Sequence, residues 1–261
     1  MSDRMLAEKE GNIGWMIFDH PERLNAVTQD MWLAIGDILE DFAQDTTIRV
    51  VVLKGAGDRA FVSGADISKF GQSRRNAAEV AESNRITGAA RERLAEFEKP
   101  TIAMIHGYCI GGGLAIALSC DLRFASEDAT FGIPAAKLGV GYAPQSIGVL
   151  QALVGPAHTR EILFTGRRFT AEEALRMGLI NRLMPRNDLE PYVRTYAETI
   201  ASNAPLTLHA SKLASIELLK NQDERDLEAA HRAVTACFDS EDYQEGRTAF
   251  MEKRQPIFKG R

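Results

Sequence analysis

The stretch Ile105–Asp121, IHGYCIGGGLAIALSCD, sets three consecutive glycines at the mouth of an apolar, alanine-rich run. Glycine loses the most backbone freedom on ordering, so a triplet inside regular structure is costly. It is retained where the chain must turn sharply or where another group approaches the backbone closely. PTIAMIHG, just before it, reads as a strand ending in turn residues, and the alanine-rich run after it as a helix. A strand–turn–helix joint exposes unpaired N–H groups at the helix start. The joint suits an anion or an oxyanion, with close helix–strand packing as the competing reason for the same glycines.

Other glycine loops are excluded by spelling. GYCIGGGLA is not GxGxxG, GVGYAPQ lacks the third glycine, no GK[ST] follows, and no GxSxG elbow occurs. A second small-residue turn, AFVSGADISKF at Ala60–Phe70, also leads from an apolar strand toward a helix. Two such turns can aim two backbone N–H groups at one point, as a carbonyl turning into an enolate requires.

The rest of the chain divides into two textures. NIGWMIFDH, IRVVVLKG and PTIAMIHG are β-branched apolar runs ending in turn residues. Between the first two, Met31, Ile35, Ile38 and Phe42 recur at helical spacing. Asn76–Glu98 reads as a second helix with Ile86, Ala90, Leu94 and Phe97 on one face, stopped by Pro100. DLRFASEDATFGI reads as two short strands joined at Ser-Glu-Asp. This alternation predicts layered α/β packing. From about Pro156 strands are expected to disappear. TAEE at Thr170–Glu173 is a capping box, and Leu189–Ser202, Pro205–Lys220, Glu224–Phe238 and Glu241–Arg254 read as helices. A helical run with so little core of its own needs a surface to cover, on its own body or on another subunit.

Composition narrows the classes of function. A formal net charge of −5 argues against nucleic acid, and Arg74-Arg75 and Arg167-Arg168 are too short to reverse this. No apolar run approaches the roughly 18 to 20 residues of a membrane span, and the opening MSDRMLAEKEGN lacks the apolar core of a signal peptide. The odd count of 3 cysteines among apolar neighbours predicts reduced thiols and a cytoplasmic protein. Cys109 reads as a small buried hydrophobe rather than a nucleophile. With no CxxC or HExxH spacing, no metal is expected. His106 reads as a structural residue at a strand end, and Asp66 and Asp121 as caps.

DHPERLNAVT, AFVSGADI, HGYCIGGGLAIALSCDLRFASEDATFGIP, FTGRRFTAEEALRMGLINRL and AFMEKRQPIF, in this order across nearly the whole chain, resemble the enoyl-CoA hydratase/isomerase (crotonase) superfamily. The resemblance implies an α/β fold, a crotonase-like spiral of ββα turns over residues 1–195. A C-terminal helical trimerisation segment over 196–261 would follow it, giving a trimer or a dimer of trimers. It implies an acyl-CoA thioester substrate, with coenzyme A entering as part of that substrate and no tightly bound cofactor. Ala65 and Gly112 would supply the two oxyanion N–H groups. Arg23, Leu24 and Ala26 would line the CoA path. Ser63, Asp66 and Ile67 would flank the pantetheine and adenine, and Gly64, Gly111, Pro134, Ala135 and Leu138 would belong to the same substrate and CoA site. Phe250 and Lys253 would close over the nucleotide end, in this family often that of a neighbouring subunit.

The departures from the family pattern bear on the reaction. Hydratases of this family resemble GGGxxE at the glycine turn and PE after the later strand; here the two positions are Ala115 and Ala135. A related dehalogenase branch carries a nucleophilic aspartate where Ala143 stands. Tyr142, in GVGY, remains as a candidate hydrogen-bond donor for a substrate carboxylate or a developing charge, with a half-buried packing aromatic as the competing reading. GVGY with the C-terminal motif also resembles bacterial methylmalonyl-CoA decarboxylases. Three functions stay open: a decarboxylase-like enzyme working through an enolate, a hydratase or isomerase recruiting another acid, and a non-catalytic acyl-CoA binder.

Overall fold

The computed structural model describes residues 2–66 and 77–261. From Val50 to Gly132, each spiral turn of the chain lays one strand into a large sheet and the next into a small one. Strands β1 (Met5–Glu10) and β2 (Ile13–Phe18) form an antiparallel pair, followed by α1 (Gln29–Gln44). β3 (Val50–Gly55) and β4 (Ala60–Val62) then lead to α2 (Ala77–Ala95). β5 (Thr101–Ile105) and β6 (Tyr108–Ile110) lead to α3 (Gly112–Leu118), and β7 (Leu122–Ser126) and β8 (Thr130–Gly132) follow. The large sheet runs β1-β2-β3-β5-β7-β10 and the small one β4-β6-β8-β9. From β2 onward the large-sheet pairs are parallel, as are β4-β6 and β6-β8. The expected ββα repetition is therefore present.

Both faces of the large sheet are covered at its central strands, which is why β2, β3 and β5 are buried and largely apolar. Side chains alternate between faces. Met16, Phe18, Val51, Leu53, Ala103 and Ile105 enter one cluster with α1 and the small sheet. Ile13, Trp15, Ile17, Val50, Val52, Ile102 and Met104 enter a second. The predicted apolar faces are the buried ones: Met31, Ile35, Ile38 and Phe42 on α1, and Ile86, Ala90 and Leu94 on α2 with Phe97 just beyond it. The expected start of α2 at Asn76 lies outside the described residues.

Strands do not disappear after Pro156. Phe169–Thr170 (β9) pairs with β8, and Arg182–Met184 (β10) pairs with β7. Runs this short carry no periodicity; they exist because β7 and β8 present unpaired edges to them. The polar opening also hides β1, whose pattern is one buried residue followed by exposed ones. Between β8 and β9 lies α4 (Pro144–Thr165), broken at Gly155. Next come α5 (Ala171–Arg176), with the Thr170–Glu173 capping box made on both sides, and α6 (Arg186–Ala201). Leu189, Val193, Ala197 and Ala201 of α6 cover the second cluster, so residue 195 falls within a helix packed along its length on the large sheet. α7 (Pro205–Leu219), α8 (Leu227–Phe238) and α9 (Glu241–Glu252) complete the chain. Among the described residues no helix is long and apolar enough to cross a membrane.

His106, just after β5, is buried with its Nε2 unpartnered. Burial, seconded by the nearby Arg186, pulls its imidazole down to about 4. The unfolded chain binds that proton at a higher pH, so stability from this group is full above about pH 6.5 and is lost as pH falls toward 4. Urea unfolding at pH 7 and 4.5 should show wild type losing about 2 kcal/mol more than His106→Gln across that interval.

Candidate active site

Two turns meet at the ends of neighbouring strands β4 and β6. After β4, Gly64 takes φ +124°, and Ala65 forms an isolated parallel bridge with Val27. In that bridge Val27 N–H donates to Gly64 O at 2.8 Å and Asp66 N–H donates to Val27 O at 3.1 Å. The groups on either side of Ala65 face Val27, so the Ala65 N–H faces the other way. After β6, Gly111 N–H donates to Gly132 O at 2.8 Å and Ala115 N–H to Gly111 O at 3.0 Å. Gly112 opens α3, and its N–H precedes the first intrahelical bond. Neither the Ala65 nor the Gly112 N–H is taken by a backbone acceptor among the described residues.

Each glycine of the triplet has its own reason. Gly111 sits at φ +54°, ψ −111°, which a side chain would strain. A Cβ on Gly113 would lie 2.1 Å from the Val62 carbonyl oxygen, so only glycine allows α3 to lie against β4. A Cβ on Gly112 meets only ordinary contacts, 3.5 Å from the Trp32 ring and 3.6 Å from Ala65 N. That short span brings these two N–H groups close together.

They open on a cavity of about 430 Å³. Ser63, Gly64, Ala65 and Asp66 line it from the first turn, Gly111 and Gly112 from the second, and Arg23 and Ala26 from the segment before α1. Pro134, Ala135, Leu138 and Tyr142 close the remaining side. Sequence reasoning missed Ile110, Ile133 and Val140, which also line it. Their signal was position, each beside a residue already singled out.

Asn25 fixes the Arg23–Ala26 segment. Buried at φ +55°, it accepts from His20 N–H at 2.9 Å and donates to Ala56 O at 2.9 Å and Ala60 O at 2.8 Å. Leu24 is not in the lining; its carbonyl accepts from Ser63 N–H at 3.0 Å and ties this segment to the first turn. Ile67 lies outside the described residues. Phe250 and Lys253, at the end of α9, are exposed and do not line the cavity. Ala115 stands one turn into α3 on the Gly112 side.

Electrostatically the cavity is spare. Among the described residues, its charged lining side chains are Arg23 and Asp66. Tyr142 is half-buried; burial raises its phenol above the ordinary tyrosine value and Arg91 pulls it the other way, so it stays a protonated donor. Burial pushes the Cys109 thiol well above its usual value and Cys120 up to about 12, which leaves both unreactive. Asp121 accepts from Thr101 N–H at 2.7 Å and pairs with Lys212 at 2.9 Å, a structural role. Among the described residues no group of three or more His, Cys, Asp or Glu gathers to hold a metal ion.

A family model described as enoyl-CoA hydratase/isomerase matches residues 8–261. The chain belongs to the enoyl-CoA hydratase/isomerase family. It is 34% identical over 255 residues to the short-chain-enoyl-CoA hydratase of Clostridium acetobutylicum, covering 97% of this chain and 96% of that one. It is 33% identical to the crotonyl-CoA hydratase of Syntrophomonas wolfei, with 98% of each chain covered. Among solved structures it resembles an enoyl-CoA hydratase/carnithine racemase from Magnetospirillum magneticum, with a TM-score of 0.95 at 33% identity over 100% of this chain and 97% of that one. Strands, turns and helical tail together make this a crotonase-like fold, as the resemblance implied.

Substitutions separate the packing glycine from the open one. Gly113→Ala must push β4 from α3 and should cost about 3 kcal/mol or more in urea unfolding, whereas Gly112→Ala should stay within about 1 kcal/mol of wild type.

Proposed function

We propose that this family member processes an acyl-CoA thioester by stabilising its enolate between the Ala65 and Gly112 N–H groups, without a glutamate base. The observation that carries this reading is the pair of free N–H groups opening on a cavity in which Ala135 stands and Tyr142 supplies the neutral donor. Preorganised donors aimed at a developing oxyanion contribute about 10²–10³ each in rate. A hydration needs more: water must lose a proton and the α-carbon must gain one, and each positioned acid or base contributes about 10²–10⁴. Neither Ala115 nor Ala135 can do this.

Decarboxylation asks for less. The bond between the α-carbon and a carboxylate breaks, and its electron pair moves into the thioester to give the enolate. Carbon dioxide leaves, and the α-carbon takes a proton from water. The protein needs an oxyanion hole and a group to orient the carboxylate, here Tyr142. Coenzyme A enters only as part of the thioester, its phosphates meeting Arg23 at the cavity rim. The exposed Leu218, Leu219, Phe238, Phe250 and Met251 of the helical tail fit self-association as a trimer or a dimer of trimers, in which Phe250 and Lys253 would reach a neighbour's nucleotide.

Asp66 supports a second reading. It is the acid in the cavity lining, and the relatives named above are hydratases, so a hydration that recruits Asp66 is the alternative.

Crotonyl-CoA and malonyl-CoA decide between them. With pure protein, crotonyl-CoA hydration should fall several orders of magnitude below the roughly 1–10³ s⁻¹ of ordinary enzymes, while malonyl-CoA should release carbon dioxide. Hydration near ten per second, lost in Asp66→Asn, would instead establish the alternative, and binding without turnover of either would mark a non-catalytic binder. Proline is accepted at the first position of a helix but carries no N–H. Gly112→Pro should therefore fold and lose about 10²–10³ in turnover, and Gly112→Ala, which keeps its N–H, should lose far less.

A further inference from the structure

Among the described residues, Arg91 is a cation without an acid. It sits half-buried on α2, where its Nε donates to Thr87 O at 3.2 Å and its Nη1 to Ser146 Oγ at 2.8 Å. Its helix neighbours are neutralised: Arg85 pairs with Glu82 and Arg93 with Glu40. Among the described residues no carboxylate lies within ion-pair distance of Arg91, and the segment between Asp66 and Ala77 contains no Asp or Glu. A partly buried charge is expensive unless something answers it.

Its Ser146 partner belongs to the helix that follows the cavity lining. Ser146 is in the first turn of α4, four residues after Tyr142, which lines the cavity and packs on the core. The Tyr142 hydroxyl has no hydrogen-bond partner among the described residues, and the Arg91 charge reaches it. A protonated donor thus lines the cavity, and the Arg91 guanidinium is anchored to Ser146, four residues along the chain from it.

Resting on the reading of the site as an acyl-CoA enzyme, we infer that Arg91 is a specificity-determining residue that selects acyl groups carrying a carboxylate, with Tyr142 as the donor that touches it. The charge works on binding. In the ground state the substrate's negative charge sits on the carboxylate near Tyr142 and Arg91. As carbon dioxide leaves, that charge moves to the thioester oxygen, away from them. An attraction present in the ground state and weaker in the transition state lowers KM and does not raise kcat. Arg91 is accordingly held one side chain back from the reacting bond, by Ser146 and Thr87.

The test compares malonyl-CoA with acetyl-CoA, which differ by the carboxylate, on wild type, Arg91→Gln and Arg91→Lys. Affinity is read by calorimetry, or as KM where turnover occurs. Arg91→Gln should weaken malonyl-CoA about tenfold with acetyl-CoA unchanged and with the loss in KM rather than kcat, and Arg91→Lys should recover most of it. Equal weakening of both thioesters, no weakening of either, or a loss confined to kcat would overturn the inference. Should Arg91→Gln not fold, Arg91→Lys against Arg91→Met gives the same comparison. Carbon dioxide release by wild type is scored separately: its absence ends the decarboxylation reading, while the malonyl-to-acetyl affinity ratio still judges Arg91.

Discussion

The close approach of Gly113 to the Val62 carbonyl is the constraint on which the site depends. Adjacent parallel strands lie about 4.8 Å apart, so the turns that end β4 and β6 leave the small sheet side by side. The packing of α3 beyond the second turn decides whether their N–H groups converge. A side chain at residue 113 would hold α3 off β4 and separate Gly112 from Ala65. Without one, backbone packs on backbone and the two N–H groups open on one cavity. Asn25 performs the matching task on the other flank, spending its whole amide on the turn that positions Ala26 and Val27. The bridge from Val27 then turns the Ala65 N–H outward.

Much of this was legible in the sequence because it rests on local rules. The apolar faces of α1 and α2 follow from helical spacing, the Thr170 cap from its spelling, and the glycine turn from the cost of glycine in regular structure. The illegible part depends on partners far along the chain. β9 and β10 are strands because β8 and β7 offer edges, and no property of FT or RLM announces it. Leu24 reads from the sequence as a CoA-path residue, and the fold adds a backbone tie that no spelling announces: its carbonyl accepts from Ser63 N–H and its own N–H donates to Pro21 O. Arg91 was invisible for the opposite reason: a single arginine in a charged helix reads as solvated surface until its lack of an acid and its nearness to Tyr142 are seen together.

The helical tail obeys a different logic from the spiral. α6 covers the large sheet with Leu189, Val193, Ala197 and Ala201, so it belongs to the core energetically even though it opens the all-helical part of the chain. Beyond it, α7 to α9 bury little: Ala210, Ala230 and Ala249 are their buried apolar residues, while Leu219, Phe250 and Met251 are each at least 76% exposed. A segment that buries alanines and exposes its large side chains is arranged to present a surface, not to stabilise its own chain.

On the proposed reading, the oxyanion hole stands where the family's usual acids are alanines, and the reason lies in where each group resides. A glutamate is a side chain, and one substitution removes it while often relieving the cost of a charge near apolar walls. The N–H groups of Ala65 and Gly112 belong to the main chain, and side-chain exchange at those positions leaves the donors in place. They are aimed by bonds that the fold itself needs: the Val27 bridge, the Gly111–Gly132 bond that continues the small sheet, and the packing of Gly113. Removing the hole means unmaking the junction of β4, β6 and α3, whereas removing an acid leaves every one of those bonds intact. On that reading, the capacity to stabilise an enolate is a property of the fold itself. The side chains around the cavity are left free to decide what the enolate is made from.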